Sequence, residues 1–430
     1  MNGGRLRRTG RPRTIFEDEG DPERTKNYYE YLPMNFRVIF CLVLVVWCYS
    51  LLMNACRSSE SEKQAVIRKK KPVALGKISA LPEDYLSPAD NPTTPEKIEL
   101  GRLLFYDPIL SGSKDVACAS CHHPEFGYAE SLPLSIGVNG QGLGERRRFN
   151  AKNDIPFTKR NSQTLLNTAF NGIKENGNYR PDDAAMFWDL RAKGLEEQAL
   201  MPITAFEEMR GHRFEEEAIA DEIERRLKNI SEYRKLFKKV FGENAITAVN
   251  ISKALSSFQR SLLANNSRFD KYMRGDNSAM STREIEGMQL FMTVGCARCH
   301  NGPMLSDYKT HVMGVVDNEQ LAVSDSGFQR SYAFRTPSLR NLRFTRPYMH
   351  NGKIKELKEV MTFYEDLPGK DVPNKNVKKE QLDTLARMLK LEFGDINTIL
   401  EFLSTLNDDK YDRKIPALVP SGLPVGGKIK

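Results

Sequence analysis

Beyond residue 56 the chain holds only four cysteines, and its 430 residues include just two tryptophans and six histidines. Those four cysteines fall into two close pairs with no partner elsewhere, which excludes a disulfide framework of the small secreted kind. Neither sign of charge dominates. With 64 basic and 56 acidic residues interspersed and no basic stripe carrying aromatics, no nucleic acid partner is implied. Strand-rich stretches are missing, and long apolar runs are missing with one exception. Glycine and proline, 29 and 22, are too few for a collagen, while 40% hydrophobic residues are too many for a disordered polymer. What remains is a globular chain of two or three domains, mainly α with long loops.

The exception is residues 38–53 (VIFCLVLVVWCYSLLM), 16 residues without a charge. That is short for a transmembrane helix of roughly 20 residues and long for the core of a signal peptide. Basic residues flank it on both sides, from Arg5 to Arg37 before and at Arg57 and Arg68 to Lys71 after, so the positive-inside rule does not orient it. Two readings stand. One is an uncleaved membrane anchor over 36–56 behind a cytoplasmic tail, 1–35. The other starts at Met34 as a lipoprotein signal with Cys56 lipidated, although Met53 and Asn54 make the lipobox imperfect. Residues 57–90 are polar and interrupted by proline, and read as a linker.

The remaining cysteines form Cys118-Ala-Ser-Cys121-His122 and Cys296-Ala-Arg-Cys299-His300. From the cysteine and histidine content, chance predicts about 0.002 copies of C-x-x-C-H. Two thiols three positions apart on one helical turn reach the two vinyl groups of a haem, and the next imidazole then meets the iron. A thioredoxin-like pair needs no histidine and would not occur twice. A zinc site needs four ligands, which would require the two pairs to meet from neighbouring loops. Covalent haem at Cys118, Cys121, His122 and at Cys296, Cys299, His300 is therefore expected. Because bacteria attach c-type haem outside the cytoplasm, residues 57–430 are expected in the periplasm, tethered by the anchor or by lipid on Cys56.

A weak repeat precedes both motifs. TTPEKIELGRLLFYD (93–107) has a threonine cap and Pro95 at the first helical position, and STREIEGMQLFMTVG (281–295) has Thr282 as its expected cap. Each carries a glycine four residues before a phenylalanine, Gly101 with Phe105 and Gly287 with Phe291, as a close helix crossing would select. This predicts two cytochrome c-like haem modules, 91–275 and 276–412, and a tail over 413–430 that either wraps or hangs loose. Further helices are expected over 188–201, 215–241 and 245–263.

Two such modules with motifs 178 residues apart, FWDLRAKGLEEQALMPITAFEEM (187–209) and RTPSLRNLRFTRPYMHNG (335–352) resemble the bacterial di-haem cytochrome c peroxidase/MauG family over roughly residues 80–412. The resemblance implies a peroxide-reacting haem in the first module, an electron-transfer haem in the second and a calcium ion between them. Trp188 matches the family's tryptophan between the haems, where an oxidisable indole splits a long electron transfer into two hops. As a tryptophan alone it would read as core. Glu208 matches the acid that takes a proton from peroxide and returns it to the leaving oxygen, with Glu207 the alternative. Gln198 and Pro202 fall on positions of the same distal side. Asn161 with the carbonyls of Thr345 and Pro347 matches the calcium site, a hard-oxygen set suited to that ion, although Asn161 alone would read as a helix cap. His350 reads as a buried hydrogen-bonding histidine. Hydrogen peroxide and a small donor protein such as a cytochrome c are the implied partners, with a homodimer left open.

Two departures bear on mechanism. Family members that need reductive activation carry a blocking histidine upstream of the Arg-Asn motif, yet residues 128–160 here contain none. The first haem is therefore expected to be open. The second concerns the sixth ligand of the second haem. Typical members place a methionine fourteen residues after the histidine of the Pro-Tyr motif, and Tyr364 stands there, as in MauG-like members, with Met361 one turn earlier as the competing ligand. Thioether ligation raises a haem's potential, whereas a phenolate lowers it. Three functions are weighed: a peroxidase, a MauG-like oxidase modifying residues of a partner protein, and a non-catalytic electron-transfer cytochrome.

Overall fold

A computed structural model describes residues 76–430. The apolar run, the anchor or lipoprotein signal, Cys56 and most of the expected linker lie outside these residues. Among the described residues no helix is long and apolar enough to cross a membrane. The α-helices are α1 (Pro95–Tyr106), α2 (Cys118–Cys121), α3 (Gly194–Gln198), α4 (Met201–Thr204), α5 (Ile219–Lys228), α6 (Ser231–Phe241), α7 (Ala248–Arg260), α8 (Arg268–Met273), α9 (Thr282–Thr293), α10 (Leu357–Asp366), α11 (Thr384–Arg387) and α12 (Ile396–Ser404). Among the described residues, strands are confined to three short antiparallel pairs, one of them Ala185–Met186 with Ala192–Lys193.

Each haem module is built on one helix crossing, and the two crossings are alike. In the first, α1 lies on α7, and a Cβ added to Gly101 would stand 2.0 Å from the Ala254 carbonyl oxygen. In the second, α9 lies on α12, and a Cβ at Gly287 would stand 2.1 Å from the Thr398 carbonyl oxygen. Only glycine permits backbones this close. Four residues on, Phe105 meets Phe258 at 5.1 Å and Phe291 meets Phe402 at 5.3 Å between ring centroids. Thr94 caps α1, its hydroxyl accepting from the Lys97 amide. The cap of α9 is Ser281 rather than Thr282. Its hydroxyl accepts from the Glu284 amide, and the Glu284 carboxylate reaches back to the Ser281 amide, closing a capping box that Thr282 could not form.

Two expected helices are shorter than the sequence suggests. The 188–201 stretch becomes helical only at Gly194, because Phe187 and Leu190 sit at φ 64° and 57° and a strand pair intervenes. The 215–241 stretch divides into α5 and α6 around Asn229 and Ile230.

The two ends of the described chain cross over between the modules. Residues 76–81 pack on the second: the Gly302 amide donates to the Lys77 carbonyl at 2.7 Å, and the Leu81 amide donates at 2.9 Å to the buried Asp270 carboxylate of α8, a helix that lies before residue 276 but whose Phe269 packs in the second core. Gly76 lies against the Ala297 backbone, inside the second haem motif. The C-terminal residues strap the first module. The Gly426 amide donates to the Tyr106 carbonyl at 2.7 Å, the Ser120 hydroxyl donates to the Gly426 carbonyl at 2.7 Å, and the Lys428 amide donates to the Asp115 carbonyl at 2.9 Å.

Candidate haem and peroxide site

Both haem motifs open onto one cavity of about 690 Å³. At one end α2 carries Cys118 and Cys121 on a single turn, and His122 follows as its C-cap. The His122 Nδ1 donates to the Tyr128 carbonyl at 3.0 Å, which leaves Nε2 free for a ligand in the cavity. At the other end Cys296 opens a 3₁₀ turn, and the His300 Nδ1 donates to the Leu305 carbonyl at 3.1 Å. Burial lowers the proton affinity of both imidazoles and keeps them in the neutral, ligating form. A backbone carbonyl fixing one ring nitrogen is how proteins orient a metal-bound histidine.

The residues fit covalent haem. All four sulfurs and both histidines line the same space. Its wall also carries polar atoms without protein partners, the Gln198 Oε1 and the Arg335 Nε. Arg335 is fully enclosed, with one guanidinium nitrogen on the Ala185 carbonyl at 3.3 Å, and burial lowers its pKa. An unpaired buried cation suits an anionic group such as a haem propionate. This arginine opens the RTPSLRN motif, and its burial could not be read from the sequence alone.

Glu208 stands on the wall in a single π-turn, Phe206–Arg210. Burial and the neighbouring Glu207 push its carboxyl up to about 7, partly offset by Arg191. Its backbone is pinned by the 135–138 loop, where the Val138 amide donates to the Glu208 carbonyl at 3.0 Å. Gly137 makes this approach possible, since a Cβ there would stand 2.2 Å from the carbonyl oxygens of both Glu207 and Glu208. Glu207, Gln198 and Pro202 line the same cavity.

Trp188 is buried on the cavity wall and donates its indole N–H to the Asn161 carbonyl at 3.1 Å. Asp189 beside it pairs with Arg160 at 2.8 Å, and Arg160 also holds Asp325 at 2.6 Å. The Asn161 amide donates to the His350 carbonyl at 2.8 Å, and no helix begins beside it for its side chain to cap. Its Nδ2 donates to the Leu132 carbonyl at 2.8 Å. Thr345 and Pro347 share the cavity with it. His350 is buried and stacked face to face on Phe334, with centroids 3.6 Å apart, and burial pushes its pKa down to about 3.

Tyr364 and Met361 occupy consecutive turns of α10 and both face the cavity beside the second motif. Burial raises the Tyr364 phenol's pKa well above its ordinary value. Cys299, Asp307 and His311 bring ligand atoms within 4.8 Å of one another. Cys299 belongs to the second haem motif, and the thioether expected there would leave this group without its sulfur ligand. Burial alone would lower the His311 pKa, but the Asp307 and Asp383 carboxylates on either side of the ring push it up.

Two cysteine pairs and two half-buried histidines on one cavity, with an acid near neutrality at one end, define a di-haem c-type oxidoreductase. Comparison with known proteins gives the family. Residues 95–278 match the model described as di-haem cytochrome c peroxidase. The chain is 32% identical over 345 residues to the cytochrome c551 peroxidase of Nitrosomonas europaea, covering 77% of this chain and 86% of that protein. It is 36% identical over 289 residues to the methylamine utilization protein MauG of Methylorubrum extorquens, covering 66% and 72%. Among solved structures, a MauG-like protein associated with microbial copper homeostasis is similar with a TM-score of 0.61 at 26% identity, covering 76% of this chain and 95% of that one. The chain belongs to the di-haem cytochrome c peroxidase/MauG family and is an oxidoreductase of the peroxidase type.

Proposed function

We propose that the protein reduces hydrogen peroxide in its first module, using electrons that a small c-type cytochrome delivers through the second. The observation that carries this reading is Glu208, with its carboxyl near neutrality on the wall of the cavity that holds His122. Haem held by Cys118, Cys121 and His122 would supply the redox chemistry. Glu208 takes the proton from the near peroxide oxygen and returns it to the leaving one, a role for which a pKa close to the working pH is best. Gln198 offers a second polar group to the same space. Trp188, fixed through its indole N–H, gives electrons an intermediate stop between the modules. A calcium ion would be held by the Asn161 side chain and the carbonyl oxygens of Thr345 and Pro347, the donor set a hard cation takes. The test is peroxide-dependent oxidation of a reduced small cytochrome c by the di-haem protein. Catalytic oxidation is expected, and its absence would overturn the reading.

Tyr364 favours a second reading, a MauG-like oxidase that modifies residues of a partner protein. With Tyr364 as its ligand, the second haem would be hard to reduce, and reductive activation would not be required. Fully oxidised protein mixed with one equivalent of peroxide in a stopped-flow instrument should then react at once. If nothing happens until an electron is added, Met361 or another residue is the ligand and the MauG-like reading fails. Tyr364→Met should raise the second haem's potential and make it easy to pre-reduce.

A periplasmic location, tethered through residues 36–56 or through lipid on Cys56, belongs to the same proposal. It rests on the extracytoplasmic attachment of c-type haem. Protease digestion of intact spheroplasts should remove the haem modules, and protection would argue against it.

A further inference from the structure

His311 lines the cavity at its second end, yet the chemistry above does not use it, and both of its ring nitrogens are taken. Nε2 stands 3.1 Å from one oxygen of Asp307, and Nδ1 stands 2.7 Å from one oxygen of Asp383. A carboxylate only accepts. A neutral imidazole, with a single N–H, would satisfy one of these contacts and set a lone pair against the other. Each carboxylate is also fixed as an acceptor at its remaining oxygen. The Thr336 hydroxyl and the Lys309 amide donate to Asp307 at 2.8 and 3.0 Å. The Leu385 amide donates to Asp383, the cap of α11, at 2.7 Å. Hydrogen bonds of this kind favour the ionised carboxyl. The ring between them is therefore an imidazolium that donates both N–H groups, and the three side chains together carry a single net negative charge.

This charge lies beside the second haem motif. The Asp307 amide donates to the Cys299 carbonyl at 2.8 Å, and the ligand atoms of Cys299, Asp307 and His311 lie within 4.8 Å of one another. The local fold holds the group in place. His311 is the middle residue of the strand Thr310–Val312 and pairs with Phe334 of the opposite strand, while the Asp383 amide donates to the Val312 carbonyl at 3.0 Å. The side chains of His311 and Asp307 are 10% and 7% exposed, so water and salt screen them weakly. With both nitrogens donating to carboxylates, the ring has no lone pair for an iron and no N–H left for a haem propionate. What it offers the haem is charge.

Resting on the reading that the second module handles electrons, we propose that Asp307, His311 and Asp383 together set the reduction potential of the second haem. The two carboxylates lower it, and the imidazolium offsets part of their effect. Reduction brings one electron to the ferric iron from the donor cytochrome, and no proton moves within the group. A neighbour of net negative charge opposes that electron, so the group as a whole favours the oxidised state. It acts in the same direction as a Tyr364 phenolate would, but through space rather than through a bond to the iron. Residues that act in this way position charge; they touch neither peroxide nor the reacting atoms.

The experiment uses the di-haem holoprotein and three variants, Asp307→Asn, Asp383→Asn and His311→Gln. Each replaces one charge by a neutral polar side chain of similar size. The midpoint potential of each haem is measured by optical redox titration at about pH 6, where a single remaining carboxylate still keeps an imidazole charged and carboxylates stay ionised. Asp307→Asn and Asp383→Asn each remove a negative charge and should raise the second haem's potential. His311→Gln removes the positive charge and should lower it. Each shift should be on the order of tenfold in the reduction equilibrium, as for a unit charge in partly screened surroundings, which is about 59 mV for one electron. The first haem's potential should stay where it is. Other fixed charges on the wall, such as Arg335, are common to all four proteins and drop out of the differences. A merely structural role would move the three variants in the same direction or not at all, and either result would overturn the proposal. If Asp307→Asn does not fold, Asp383→Asn tests the same sign at a side chain that is 23% exposed. The titration needs no peroxide. A wild-type protein that fails to turn over peroxide would therefore sink the peroxidase reading and leave the opposite-sign test of these three residues standing.

Discussion

The two modules use the same frame to present a haem and differ in what faces it. Each sets a glycine on a carbonyl at a helix crossing, follows it with a phenylalanine pair, and turns its histidine with a backbone carbonyl five or six residues on. In the first module the opposing wall carries Glu208 and Gln198. In the second it carries Tyr364 and Met361 on α10. The helix crossing therefore supplies a common frame, and what faces it is set by a short π-turn at Glu208 in the first module and by the helix α10 in the second. A helix crossing holds position, whereas a loop can place one carboxyl without disturbing a core.

The strongest way to break this asymmetry is to remove the acid from the first wall. Glu208→Gln should lower peroxide turnover by about 10²–10⁴, equivalent to roughly 3–5 kcal/mol of barrier, with both haem spectra nearly unchanged. The pH dependence sharpens the test. Glu208 accepts the proton in its ionised form, so the peroxide reaction of wild-type protein should rise as pH increases through about 7. The variant should lose that step. Full activity in Glu208→Gln would move the role to Glu207.

Much of this was legible in the sequence because it rests on residue types that have few uses. A C-x-x-C-H has one dominant chemistry, and the paired Gly–Phe spacing announced the helix crossings before any coordinates did. The stretch after Phe187 was misread as helix for a physical reason. Its apolar spacing suits a helix, but Phe187 and Leu190 take left-handed backbone angles that a sequence does not display. The same turn delivers Trp188 to the cavity wall. The crossed ends of the chain were equally hidden, since proline- and glycine-rich composition describes a strap and a loose tail alike.

The shared frame can be tested by damaging it in each half. Gly101→Ala and Gly287→Ala both put a methyl group about 2 Å from a backbone carbonyl oxygen, at Ala254 and Thr398 respectively. A carbonyl within a helix cannot swing away, so each helix pair must separate. Overpacking of this kind costs typically 1–3 kcal/mol, and the gain in helix propensity of about 1 kcal/mol offsets only part of it. Denaturant unfolding should show both variants destabilised to a similar degree. A large loss in one and none in the other would mean that the crossings are not equivalent.

The smallest effect distinguishes the two motifs at one matching position. Before the second cysteine stand Ser120 in the first motif and Arg298 in the second. The buried Ser120 hydroxyl accepts from the Ala117 amide at 3.0 Å and donates to the Gly426 carbonyl at 2.7 Å, tying the haem-bearing turn to the C-terminal strap. Arg298, half-buried, makes one side-chain hydrogen bond, to the Met388 carbonyl at 3.3 Å, and its Nε has no partner. Ser120→Ala leaves a buried donor and a buried acceptor unpaired, at a cost of about 1 kcal/mol or somewhat more. Arg298→Ala should stay within about 0.5 kcal/mol of wild type, as surface changes usually do. Hydrogen exchange gives the sharper readout. Ser120→Ala should speed exchange at the amides of Gly426 and Lys428, which bond to the Tyr106 and Asp115 carbonyls, and leave the second module as it was. Equal exchange in the two proteins would show that the strap is held by its backbone bonds alone and that Ser120 adds nothing to the first module's haem turn.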